Sequence, residues 1–219
     1  MKPKFWLERW QRNQIGFHQT QHNPMLLDYW PRLGLDPAES VFVPLCGKSL
    51  DMQWLAAQGH DVVGVELAQI AVENYFAQIN EIPVNASVDR FTAYRGSSTT
   101  VYQGDFFDLT APLLEGVRGV FDRGALVALP PDMRFRYVDH LLRIVPEECR
   151  ILLLAVEYDQ NLVAGPPHAV FDDEISEHYG LRCQVEQIDS IVTQNVPPHF
   201  EAQGVRQIVE SVYLIDKNE

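Results

Sequence analysis

Cations are scarce in this sequence. Its 219 residues carry 17 Lys and Arg against 30 Asp and Glu, a formal net charge of −13, and no basic cluster interrupts the excess. A surface of that sign repels phosphate backbones and anionic lipid, which argues against nucleic acid and membrane partners. Long apolar runs are missing too: the longest aliphatic stretch, ILLLAV at 151–156, falls far short of the ~20 residues needed to span a bilayer. The opening MKPKFWLERWQRNQ lacks the continuous apolar core of a secretory signal. Cysteine is nearly absent, and Cys46, Cys149 and Cys183 are odd in number and scattered, with no C-x-x-C pair. No disulfide framework follows from that pattern, and reduced thiols in a cytoplasmic protein are the expectation.

Several catalytic signatures are lacking as well. There is no G-x-S-x-G nucleophile elbow, which argues against an α/β hydrolase. His18 and His22 stand four apart, a helical metal spacing, but no H-E-x-x-H or cysteine pair accompanies them, so no metal is expected. The stretch PLCGKSLD at 44–51 contains Gly-Lys-Ser, yet the first glycine of a G-x-x-x-x-G-K-[ST] phosphate loop is replaced by Phe42. Cys46 in the same stretch sits between a strand and a helix, where a thiol pKa can fall, but no nearby histidine completes a relay.

With 46% apolar residues the chain can bury one sizeable core, and a single domain over 1–219 is expected. Short aliphatic runs at 40–45, 61–67, 99–105, 119–124, 150–158, 182–189 and 207–215 read as seven strands. Helical patterns fall at about 49–58, 68–80, 132–145 and 172–179, the last opened by Asp172, Asp173 and Glu174. Strands apolar on both faces and separated by helices imply a doubly wound, mostly parallel α/β sheet, Rossmann-like. The last two strands alternate and lack a clear helix between them, so they predict a carboxyl-terminal antiparallel hairpin. The groups ALPPD at 128–132 and AGPPH at 164–168 fall at carboxyl ends of strands, where such sheets build ligand sites. Residues 1–30 hold Trp6, Trp10, Phe17, Tyr29 and Trp30; Trp6 and Trp10 are four apart and share a helix face, either to cover a site or to cover a core edge.

Glu66 closes the second strand 20 positions after Cys46, the offset at which an acidic residue in nucleotide-binding βαβ units accepts ribose hydroxyls. The competing reading is a solvated glutamate at the start of the next helix. The first turn has only Gly47 where a dinucleotide site needs three glycines, so an adenosine ligand without a pyrophosphate, S-adenosylmethionine, suits it better than NAD. Asp105, with Phe106 and Phe107 beside it, can hydrogen-bond and cover an adenine, or simply cap a turn. Asp122 and Arg123 end the fourth parallel strand, where a guanidinium meets an anionic group or pairs with a local acid.

The segments FVPLCGKSLDMQWLAAQGHDVVGVE, FDRGALVAL and AGPPHAVFDDEI, with the amino-terminal FWLERWQRNQIGFHQ, resemble the thiopurine S-methyltransferase family in its shorter bacterial form, from about residue 5 to the last strand. That resemblance implies a class I methyltransferase using S-adenosylmethionine to methylate aromatic and heterocyclic thiols, with selenium and tellurium compounds as further acceptors. Carried over, it implies that Trp10, Leu45, Glu66 and Arg123 contact the methyl donor, with Trp6 in the cover. Asp105 and Phe106 take the adenine side, while Phe17 and His18 fall on the acceptor side. No role is carried over for 194–206. The expected partner is a small-molecule thiol and the expected state a monomer. A nicotinamide-dependent oxidoreductase and a non-catalytic adenosine-binding module are the alternative readings.

Overall fold

A computed structural model of the chain describes residues 3–194 and 196–217; Asn195 of the segment 194–206 lies outside them. Five parallel strands form the centre: β1 (Ser40–Val43), β2 (Val62–Glu66), β5 (Thr99–Gln103), β6 (Val117–Asp122) and β7 (Arg150–Glu157). Their residues are buried on both faces, which is why each reads as an aliphatic run rather than an alternation. One face carries α2 (Pro24–Tyr29), α3 (Asp51–Ala57) and α4 (Gln69–Gln78), whose Leu26, Met52, Leu55, Val72 and Phe76 share a core with Val41, Phe121 and Leu152. The other carries α5 (Pro131–Ile144) and α6 (Asp172–Tyr179), packing Tyr137, Leu141, Ile175 and Tyr179 onto Phe42, Val120 and Leu153.

With β3 (Val84–Val88), β4 (Phe91–Arg95), β8 (Cys183–Thr193) and β9 (Ile208–Lys217), the described sheet has nine strands in the order β3-β4-β5-β2-β1-β6-β7-β9-β8. Seven of them are those expected. The pair β8 and β9 is antiparallel, with β9 inserted between β7 and β8. The addition is a hairpin of β3 and β4, turning at Asp89 and Arg90. Its edge strand is mostly exposed and its turn lacks the Asn-Gly or Asp-Gly pair that signals a hairpin, Asp89 itself taking φ +49°. Trp6 and Trp10 lie on α1 (Pro3–Gln11), Phe17 in the turn that follows, Tyr29 at the end of α2 and Trp30 just after it; His18 and His22 fall in a loop, so their spacing of four does not place them on one helix face. None of the described helices is long and apolar enough to cross a membrane.

The chain leaves β1 through α3 toward β2 on one side and leaves β6 through α5 toward β7 on the other, so the loops after the adjacent strands β1 and β6 diverge at the switch point of the sheet. A crevice opens there, at the carboxyl ends of the parallel strands.

Candidate active site

The first wall of the crevice is the turn after β1. Leu45 at φ +47° and Gly47 at φ +56° fold the chain back sharply, a backbone that is strained for leucine and free for glycine. The glycine has a second reason: a Cβ at position 47 would meet the Trp10 ring at 3.1 Å, so the bare backbone is what lets α1 lie across the turn. Trp10 is buried, and Phe17 packs edge-on against both Trp6 and Trp10 at 5.5 and 5.7 Å between ring centres. Trp10 also packs with Ala68 and Ala71 at the start of α4, so α1 both crosses the turn and covers a core edge.

Glu66, at the end of β2, ties that turn to the next one. Its Oε2 accepts the Gly47 N–H at 2.9 Å and its Oε1 accepts the Ala68 N–H at 2.7 Å, at the entry to α4. The residue is only 6% exposed, which replaces the solvated glutamate of the competing reading with a buried one. Burial pushes its pKa up to about 6 against the backbone donors Ala68, Gly47 and Leu67. A carboxylate has about four acceptor sites, so these backbone donors leave it capacity to receive a donor from the crevice. Cys46 in the same turn is buried, and desolvation, then the Glu66 charge, lifts its thiol pKa well above the usual value. A thiol so held is a packing group rather than a nucleophile.

Arg123 follows the last residue of β6 and turns away from its neighbour Asp122. Asp122 is sequestered: it accepts the Ala125 and Leu126 N–H groups and the Tyr137 hydroxyl, the last at 2.7 Å. The guanidinium instead reaches Asp51 on α3, 3.3 Å away and 72 positions distant in sequence. Asp51 is 2% exposed and also accepts the Asn23 N–H and the Ser49 hydroxyl, each at 2.8 Å. Asp51, Asn23 and Ser49 were not foreseen from the sequence. The only local sign was an acid opening a helix, which most often means no more than a favourable dipole. His18 stands in the same wall; burial lowers its pKa, helped by Lys48 and Arg123 and opposed by Asp51.

Asp105 lies two residues past β5 and its Oδ1 accepts the Phe107 N–H at 3.0 Å, capping a short turn as the structural alternative anticipated. Phe106 is buried against Tyr137 at 4.9 Å between ring centres, and the Arg136 guanidinium lies 4.0 Å over the Phe107 ring.

These walls enclose a cavity of about 610 Å³, within the size range of small-molecule sites. Trp6, Trp10, Phe17, His18, Leu45, Glu66, Asp105, Phe106 and Arg123 all line it. The two proline groups contribute Ala128, Leu129, Pro166 and Pro167. The segment for which no role was carried over adds Pro197, His199 and Phe200, and β9 adds Glu210.

Residues 1–218 match the family model described as thiopurine S-methyltransferase. The thiopurine S-methyltransferase of Pseudomonas paraeruginosa is 46% identical over 217 residues, covering 99% of this chain and 100% of the relative. That of Azotobacter vinelandii is 45% identical over the same length and equal shares. Among solved structures, an S-adenosylmethionine-dependent methyltransferase from Anabaena variabilis superposes with a TM-score of 0.70 at 10% identity, over 99% of this chain and 95% of the other. The 1,6-didemethyltoxoflavin-N1-methyltransferase of Burkholderia thailandensis, solved with S-adenosylhomocysteine, gives 0.64 at 16% identity, over 99% and 87%. At such identities the likeness speaks to the fold, which is that of the class I methyltransferases. With the match to residues 1–218 and relatives of near-equal length, the chain belongs to the thiopurine S-methyltransferase family.

Proposed function

We propose that this protein transfers a methyl group from S-adenosylmethionine to the sulfur of aromatic or heterocyclic thiols. The observation that carries the reading is a buried carboxylate, Glu66, with spare acceptor sites beside a turn that has no pyrophosphate-binding glycines, in one cavity with Arg123 and the aromatic prologue. Those residues fit the donor: Glu66 would take its ribose hydroxyls, Asp105 and Phe106 its adenine, Trp10 and Leu45 the stretch between. When bound, the donor supplies an electrophilic methyl group on a sulfonium sulfur.

The chain's own work is then binding and alignment. Arg123, paired with Asp51, stands where it can meet the donor's carboxylate, as the resemblance implies, or an anionic acceptor sulfur, and this reading assigns it the sulfur; Phe17 and His18 border the acceptor. Trp6 and Trp10 cover the pair and exclude water. Aromatic thiols ionise readily, so no strong protein base is required, and alignment of two bound reactants can itself supply up to roughly 7–11 kcal/mol. One domain covered by residues 1–30 and acting as a cytoplasmic monomer on small molecules fits this reading.

The test is incubation with methyl-labelled S-adenosylmethionine and a panel of aryl thiols, thiopurines, selenium and tellurium acceptors. Label on the sulfur of an aryl or heteroaryl thiol is the expected result; donor binding with no transfer to any acceptor would leave an adenosine-binding module instead.

The Glu66 assignment carries its own pH signature. Its pKa in the free protein is raised to about 6, so above that pH the carboxylate is ionised and accepts hydroxyl donors, and below it the proton takes an acceptor site away. Donor affinity should therefore fall, by up to about tenfold per pH unit, as pH drops below that point. Calorimetry across pH 5 to 8, a range set by that pKa, should show this slope in the wild type and a weaker, flatter profile in Glu66→Gln. Equal slopes in both proteins would remove Glu66 from the donor site.

A further inference from the structure

The far end of the cavity holds a titratable group that the proposed reaction does not use. Glu210 stands on β9, level with Val156 of β7 and Ile191 of β8, and lines the cavity beside Pro197, His199, Phe200 and Ile208. Among the described residues nothing donates a hydrogen bond to its carboxylate or pairs with it, and burial alone pushes its pKa up. A half-buried carboxylate among prolines, Phe200 and Ile208 is costly to keep without a partner. Its carboxylate therefore keeps acceptor sites open to a donor carried by a ligand in the cavity.

Its position relative to Arg123 says which part of an occupant it meets. β7 lies between β6 and β9; Asp122 is level with Leu153, and Glu210 is level with Val156. Strand spacing and rise then put the Arg123 and Glu210 backbones on the order of 12 Å apart. Both side chains line the one cavity, and between backbones so separated a fused heteroaromatic ring can lie with its anionic sulfur toward Arg123 and its opposite edge toward Glu210.

We propose that Glu210 is a specificity-determining residue, accepting a hydrogen bond from a ring N–H or amino group on the edge of the acceptor away from its sulfur. N–H-bearing heteroaromatic thiols are thereby favoured over aryl thiols of similar acidity. The inference rests on the methyl-acceptor reading above. It adds a recognition element that Arg123 cannot supply, because a cation attracts any thiolate regardless of the ring behind it.

A matched pair of probes isolates this contact. Ionised 6-mercaptopurine keeps its imidazole N–H, whereas its 9-methyl analogue has the same sulfur and ring without one. Wild type, Glu210→Leu and Glu210→Gln are compared by kcat/KM with both probes, and by calorimetric Kd with S-adenosylhomocysteine present. A charged acceptor is worth roughly 1.5–3 kcal/mol, so the loss in Glu210→Leu should be at least about tenfold larger for 6-mercaptopurine than for the 9-methyl analogue. Glu210→Gln, which keeps an uncharged acceptor, should fall between. Equal losses for both probes would mark Glu210 as merely structural and overturn the proposal. Should Glu210→Leu not fold, wild type and Glu210→Gln still decide: a wild type indifferent to N9 methylation sinks the idea. Should the wild type methylate no thiol, the reaction itself is refuted, while the Kd values separately show whether Glu210 reads the N–H.

Discussion

Arg134→Ala is expected to lower the unfolding free energy by about 3–5 kcal/mol, from two buried carbonyls left without donors and the void of a large side chain. Arg134 is 1% exposed, yet every arm of its guanidinium is used. Nε donates to the Leu129 carbonyl at 3.0 Å, one terminal nitrogen to the Ala169 carbonyl at 3.0 Å, and the other to Glu174 at 2.6 Å. The three acceptors belong to the loop after β6, the loop after β7 and α6, so one side chain on α5 fastens three segments. The His168 N–H adds a tie to the Val127 carbonyl at 2.7 Å. Alanine would leave two carbonyls without donors and a side-chain-sized void; Glu174, partly open to water, would suffer least. At roughly 2–4 °C per kcal/mol for a chain of this size, the midpoint of thermal unfolding should drop by about 6–20 °C. Lysine, which keeps the charge but not the planar fork, should recover only part of the loss. Since Leu129, Pro166 and Pro167 wall the cavity, the variant should also bind its ligands less tightly at temperatures where it remains folded. A loss below about 1 kcal/mol in urea unfolding would mean that these bonds do not hold the loops.

What was legible in the sequence is whatever depends on short-range pattern. β1, β2, β6 and β7 declared themselves because strands covered on both faces must be apolar throughout. Glu66 was visible because the rise of one βα unit fixes its distance from the first turn. The β3–β4 hairpin was not, since an exposed edge strand such as Val84–Val88 owes its conformation to its partner rather than to burial. Arg123 could be named, but not its partner: Asp51 lies 72 positions away and meets it only because β1 and β6 are adjacent in the sheet. Glu210 sits in IVESVYLI, where an acid in an alternating strand looks like an ordinary solvent-facing position. Only the insertion of β9 between β7 and β8 turns it toward the cavity.

Arg123→Ala should reduce kcat/KM for an acidic thiol by about 100-fold while barely moving the unfolding midpoint, a truncated charge partner typically costing 2–5 kcal/mol of binding. The small structural effect follows from the weakness of its pairing: 3.3 Å to Asp51 is long for a charge-assisted contact, and Asp51 keeps the Asn23 and Ser49 donors when the guanidinium is gone. The kinetic effect follows from how charge changes during the reaction. A thiolate and a sulfonium neutralise each other on the way to products, so a cation beside the thiolate binds it more tightly before transfer than during it. Arg123 therefore earns its effect by capturing and aligning the anion, and most of the loss should fall in KM. The same argument fixes the pH dependence. A fixed guanidinium favours the ionised thiol and lets the wild type work below the acceptor's own pKa. In Arg123→Ala the pH profile for kcat/KM should shift upward toward that pKa, and Arg123→Lys should restore part of the shift because it restores the charge. An alanine variant with wild-type kcat/KM, an unshifted profile and an intact fold would leave Arg123 as a tether for Asp51 and nothing more.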